Sequence, residues 1–141
     1  MQLYMPEGRE MIYGIGIDLV ENDRLANIIE RWGLKFLERV FSEGEINYCS
    51  RHAQAAIHFS ARFAAKESFL KALGMGLGMG VKLREIEVVL DKNGKPGLLL
   101  QGEAKTQIKK RNIARTHLSL THTQNYATAV VLLEKIANVF H

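Results

Sequence analysis

The stretch HAQAAIHFSARFAAKESFLKAL, His52 to Leu73, decides the architecture of this chain. It contains no proline, and Gly74 follows it as a helix-ending glycine, so it reads as the longest helix. Ala56, Phe59, Phe63, Leu70 and Leu73 recur at steps of three and four and form an apolar stripe with one gap. The gap falls at Lys66, with Glu67 at its edge. Charges are costly to bury unless they are paired or bound. Two readings are open. Glu67 and Lys71, spaced i, i+4 in the favoured order, can form a local ion pair on a solvated face. Arg62, Lys66 and Lys71 around one carboxylate can instead make a phosphate site with a metal ligand.

On the N-terminal side, YGIGIDLV (Tyr13 to Val20) alternates with period two and reads as a strand, with Ile15, Ile17 and Leu19 on one face. Asp18 falls near its end, where an aspartate serves either as a rigid ligand or as a capping residue; strands disfavour it. Gly14-x-Gly16 lies inside the strand and lacks a third glycine, which excludes a dinucleotide-binding turn. Asn22 fits an N-cap, with a helix to Trp32 stopped by Gly33. Leu34 to Val40 is a short helical piece. Ser42 and Glu45 form a capping box for a helix toward Ser50.

On the C-terminal side, GMGLGMG (Gly74 to Gly80) is either a flexible connector or a loop whose backbone N–H groups hold an anion. It is not a Walker loop, because Val81-Lys82 follows it. Arg84 to Leu90 and Gly97 to Gln101 read as a hairpin around Asn93-Gly94. Glu103 to Arg111 reads as a short basic helix, and Thr116 to Thr121 and Tyr126 to Leu133 as two more strands. Helices and strands cluster rather than alternate. The expected class is α+β, a mainly antiparallel sheet packed against the long helix and shorter helices.

The chain has 141 residues, enough for one domain with its own core. With 47% hydrophobic and 24% charged residues it is globular rather than disordered. A net charge of +4 favours anionic partners without choosing among them. The single cysteine, Cys49, excludes a disulfide framework and suits a reducing cytoplasm. No apolar run is long enough to span a bilayer. Residues 1–10 lack periodicity and the features of a signal peptide, and read as an N-terminal extension of a domain covering residues 11–141. His117 and His122 are five apart on one strand, so they face opposite sides and suit no shared metal. Neither G-x-S-x-G nor H-E-x-x-H occurs, and aromatic residues do not interleave with basic ones as in RNA binding.

Three blocks together carry a resemblance: YGIGIDLVENDRL (Tyr13–Leu25), ARFAAKESFLKALG (Ala61–Gly74) and HLSLTHTQNYATAVV (His117–Val131), supported by NGKP at Asn93–Pro96. The chain resembles bacterial holo-acyl-carrier-protein synthase, the small type of 4′-phosphopantetheinyl transferase. The resemblance implies transfer of the phosphopantetheine arm of coenzyme A to a serine of apo-acyl carrier protein. It also implies release of adenosine 3′,5′-bisphosphate and a role in fatty acid biosynthesis. It implies a magnesium ion held by Asp18 and Glu67, and Lys71 on the diphosphate. Either Glu67 or a water polarised by the ion would accept the serine proton. Arg62 and Lys66 become phosphate contacts or structural ion partners. Gly74, Gly76, His122 and Thr123 fall where the family meets the nucleotide end of coenzyme A. Arg24, Lys35 and Arg39 fall where it meets the acidic carrier. Met75 stands where the family commonly has threonine. The resemblance further implies a cytoplasmic homotrimer with sites between subunits and no nucleic-acid or membrane partner. The competing readings are a binding module that holds a nucleotide or RNA without turnover, and a metal-dependent phosphohydrolase.

Overall fold

We analysed a computed structural model that describes residues 11–75 and 80–135. The expected extension at residues 1–10 lies outside the described residues, and so does Gly76.

The chain opens with β1 (Ile12–Glu21), followed by three short helices: α1 (Asn22–Trp32), α2 (Leu34–Val40) and α3 (Glu43–Ser50). The long helix α4 (Ala55–Leu73) comes next, then a 3₁₀ turn at Leu83–Glu85 and the hairpin β2 (Ile86–Leu90) and β3 (Pro96–Leu100). Helix α5 (Gly102–Lys110) leads to β4 (Ile113–His122) and β5 (Tyr126–Lys135). The larger sheet is antiparallel in the order β1-β5-β4, and β2 and β3 form a separate two-stranded sheet. The α+β class and mainly antiparallel pairing match the sequence reading. At the hairpin, one oxygen of Asp91 accepts from the N–H groups of Asn93 and Lys95, which holds the expected turn.

The alternation of β1 has an unusual sense. Its branched residues Ile15, Ile17 and Leu19 are exposed, while its glycines face α4. A Cβ on Gly14 would lie 2.0 Å from the carbonyl oxygen of Ala72, and one on Gly16 would lie 1.8 Å from that of Ser68. Only glycine lets the strand backbone lie this close to the helix backbone. The facing residues are equally small: Ala127 and Ala129 of β5 and Ala65, Ser68 and Ala72 of α4 are all buried.

Helix α4 lies between this sheet and the layer of α1 and α3, and the expected single stripe is corrected accordingly. Phe59, Ala61, Ala64, Phe69 and Leu70 are buried around most of its circumference, so the helix is an interior one. Phe69, Leu70 and Leu73 join Ile86, Val131 and Leu133 in one core cluster, and Phe59 joins Leu25, Leu37 and Phe41 in another. Fully buried side chains of this size stabilise by roughly 1.5–3 kcal/mol each. Gly74 closes α4 at φ 77°, and the Met75 N–H donates to Leu70 O in the manner of a Schellman cap. The Met75 side chain turns into the first cluster.

The Ser42–Glu45 capping box forms as expected. Asn22 is a correction: Glu21 takes the cap position without a side-chain bond, and the Asn22 side chain is buried. Its Nδ2 donates to the carbonyls of Thr123 and Gln124, tying the start of α1 to the β4–β5 turn.

Candidate active site

Asp18 sits within β1 rather than at its end, paired with Ala129 of β5. Its Oδ1 accepts from Lys71 Nζ at 2.9 Å, and the same ammonium donates to Ile17 O at 3.1 Å. Lys71 therefore pairs across the helix–strand junction rather than with Glu67 on its own helix. The close approach at Gly16 explains the reach: with no side chain between them, β1 and α4 bring Asp18 beside the last turns of the helix.

Asp18 and Glu67 line one cleft of about 300 Å³ with Arg24, Leu25, Ile28, Phe36 and Phe63. Burial, and then the Asp18 charge, push the Glu67 carboxyl above its ordinary range, with Lys71 opposing the shift. Two carboxylates that repel each other beside a cleft form a site that welcomes a cation. No group of three or more metal-ligating side chains is present among the described residues. A pair of carboxylates nevertheless fits a hard divalent ion that takes its remaining oxygens from a phosphate ligand and water.

The three basic groups of α4 do not converge. Lys66 is 0% exposed. Its ammonium donates to Glu45 Oε1 at 2.7 Å, Leu83 O at 3.1 Å and Ile86 O at 2.6 Å. All three N–H bonds are used inside the protein, so Lys66 is a structural ion partner and not a phosphate contact. Burial pulls its ammonium below the usual lysine range, and Glu45 opposes that pull. Arg62 is also buried, its guanidinium stacked 4.3 Å from the Tyr48 ring, with one bond to His58 O and Nε unpartnered.

A ring cluster at this end of α4 escaped the sequence reading. His58 lies 4.0 Å from His52 and 5.9 Å from His122, centroid to centroid, with Tyr48 4.6 Å from His52. Burial, His52, Arg62 and His122 together lower the His58 pKa. His122 ends β4, and Thr123 Oγ1 accepts from the N–H groups of Asn125 and Tyr126 in the turn beyond it. Asn22 fixes that turn, and no local sequence pattern signals it. Gly74 lies one turn beyond Leu70, at the other end of α4.

Arg24 lines the Asp18–Glu67 cleft, whereas Lys35 and Arg39 line the adjoining groove of about 620 Å³ with Ile28, Trp32 and Phe36. Ile28 and Phe36 belong to both, so the three basic residues border one continuous surface. Cys49 is buried within the helical layer, and burial pushes its thiol up to about 12, which leaves it inert.

Residues 14–131 match the family model of the 4′-phosphopantetheinyl transferase superfamily. The chain belongs to this superfamily. A holo-[acyl-carrier-protein] synthase from Syntrophus aciditrophicus (strain SB) is 54% identical over 88% of this chain and 97% of its own. The crystal structure of the corresponding synthase from Neisseria meningitidis superposes with a TM-score of 0.82 at 31% identity, over 89% of this chain and all of that one. The synthase from Bacillus anthracis str. Ames, crystallised in complex with CoA (3′,5′-ADP), superposes with a TM-score of 0.74 at 34% identity, over 90% of this chain and all of that one. In this transferase no helix among the described residues is long and apolar enough to cross a membrane.

Proposed function

We propose that the chain transfers the 4′-phosphopantetheine arm of coenzyme A to a serine of apo-acyl carrier protein and releases adenosine 3′,5′-bisphosphate. The observation that carries this reading is that Asp18 and Glu67 line one cleft, with Lys71 bonded to Asp18, in a chain whose relatives are holo-acyl-carrier-protein synthases. Asp18 and Glu67 are the residues that would hold a magnesium ion. When bound, the ion neutralises charge on the diphosphate and acts as a Lewis acid toward it. Lys71 is half-exposed, so its ammonium can leave Asp18 for a phosphate oxygen and balance the charge of the departing nucleotide. Glu67 lines the same cleft and is the carboxylate placed to receive the proton lost by the carrier serine as its oxygen attacks phosphorus.

The nucleotide end of coenzyme A lies, in this reading, toward His122, Thr123 and Arg62, beside the cluster of His52 and His58. Gly74 sits at the other end of α4, and Gly76 keeps its expected part in coenzyme A binding as a proposal. Arg24, Lys35 and Arg39, bordering an apolar groove, suit an acidic helix with an apolar anchor, which is the chemistry of the carrier. The carrier would serve fatty acid synthesis in a reducing cytoplasm. The exposed Ile15, Ile17, Leu19 and Val130 on the outer face of the larger sheet support assembly with further copies, as in a homotrimer.

Intact-mass spectrometry tests the reaction. Apo-acyl carrier protein incubated with this protein, coenzyme A and magnesium gains one phosphopantetheine, and a chelator abolishes the gain. Absence of any gain with several carriers defeats the reading.

A further inference from the structure

Lys66 and Glu45 take no part in the transfer chemistry, yet both are buried almost completely. Their network is saturated. Glu45 Oε1 accepts from Lys66 Nζ and from the N–H of Ser42, and its Oε2 accepts from the N–H of Val88. Lys66 also reaches Leu83 O and Ile86 O. One ion pair thus binds α4 to α3, to the 3₁₀ turn and to β2. Replacing a buried pair of this kind by apolar residues is often neutral or favourable to stability, so stability alone does not account for it.

The opposite flank of α4 supplies the reason. There the helix rests on Gly14, Gly16, Ala127 and Ala129 through Ser68, Ala72 and their small neighbours. This stretch of the contact is smooth and sets distance better than rotation, which is left to the large side chains of the two core clusters, to Ser68 Oγ donating to Ala129 O, and to the ion pair on the far flank. Glu67 follows Lys66 directly, about 100° further round the helix. A carboxylate roughly 6 Å from the axis moves by about 2 Å when the helix turns by about 20°. A misplacement near 1 Å can lower a rate by about 10²-fold.

We infer that the Lys66–Glu45 pair is a positioning device for the transfer reaction: it fixes the rotation of α4 and thereby sets Glu67 and Lys71 opposite Asp18. The inference rests on the assignment of Asp18, Glu67 and Lys71 to the reaction. Neither Lys66 nor Glu45 touches substrate.

The test is the double substitution E45Q/K66M, which removes both charges at nearly constant volume. The variant keeps a cooperative thermal transition, while kcat falls about 10- to 100-fold and KM for coenzyme A stays within about threefold. Wild-type kcat in the folded double variant overturns the inference. If the double variant does not fold, E45D decides. It keeps the charge but draws the carboxylate back by one methylene, and kcat measured well below its melting temperature falls about tenfold. Unchanged kcat in E45D overturns the inference equally. A reading independent of activity comes from amide NMR of the metal-free folded variant. Resonances of Asp18 and Lys71, away from the substituted pair, shift, whereas a response confined to the neighbours of residues 45 and 66 overturns the inference. A wild-type protein that modifies no carrier, alongside that NMR response, counts against the transferase reading and not against the positioning one.

Discussion

Lys71 Nζ lies 2.9 Å from Asp18 Oδ1, so the cation of the site is held by the strand carboxylate and not by Glu67, four residues before it on the same helix. The pair is half-open to solvent and contributes little to folding, about 0–1 kcal/mol. In the proposed reaction its importance is chemical. Lys71→Met lowers kcat by about 10²- to 10³-fold, the usual cost of one lost stabilising donor, while the melting temperature changes little. Initial rates and a thermal melt on the same preparation check both parts.

Glu67→Gln separates stability from activity in the opposite sense. The folded pKa of Glu67 is raised, so the folded chain holds this proton more tightly than the unfolded chain does. Stability from this group therefore falls as pH rises from about 4.3, the unfolded value, through the folded pKa. Gln removes that loss. The variant melts higher than wild type at neutral pH, the advantage vanishes near pH 4, and transfer drops by more than about 10²-fold. Melting curves across pH in metal-free buffer measure the crossover.

Gly16→Ala is a steric experiment. The new Cβ would meet Ser68 O at 1.8 Å, and a helix backbone cannot yield locally. Strand and helix must separate, at a cost of about 1–3 kcal/mol or more. Because Asp18 lies two residues on, activity falls further than the lost stability explains. Denaturant unfolding beside kcat at low temperature distinguishes the two losses.

His58 makes the protein acid-sensitive in the absence of ligand. Its pKa lies below 6.5 through burial and the nearby His52, Arg62 and His122, so the unfolded chain binds more protons in that window. Stability falls as pH drops from about 6.5 through the folded pKa, and His58→Asn flattens this part of the profile. With the nucleotide end placed as proposed, coenzyme A reverses the sense, because its phosphates favour a protonated His58. Its affinity rises on acidification in wild type and rises less in the variant, as titration calorimetry at two pH values would show.

Period and punctuation made most of the fold legible. The hairpin at Asn93-Gly94, the box at Ser42 and Glu45 and the stop at Gly74 depend on chemistry local to the chain, and each stands where expected. What stayed hidden was the second partner of residues already read. Glu45 looked complete as a cap, yet it also neutralises Lys66, 21 positions away. Asn22 looked like a cap, but it is already helical, and its Nδ2 donates to the carbonyls of residues 123 and 124, more than 100 positions away. The alternation of β1 was plain, but period two does not say which face is inner. Asp18 and Glu67 stood out as charges in apolar settings, as did Lys66, which turns out to pair inside the protein, whereas His58 is unremarkable until α4 and β4 bring it to His122, with His52 beside it.

β1 carries its bulk on the outside. Ile17, at 64% exposure, and its neighbours Ile15 and Leu19 leave most of the strand's oil in water. Under the proposed assembly, a strand built in this way makes the amount of protein in solution part of its chemistry. Diluted below the point at which copies meet, each chain would lose that cover. Specific activity would then become a function of concentration, falling with the square of dilution if three chains must meet and recovering when the sample is concentrated again.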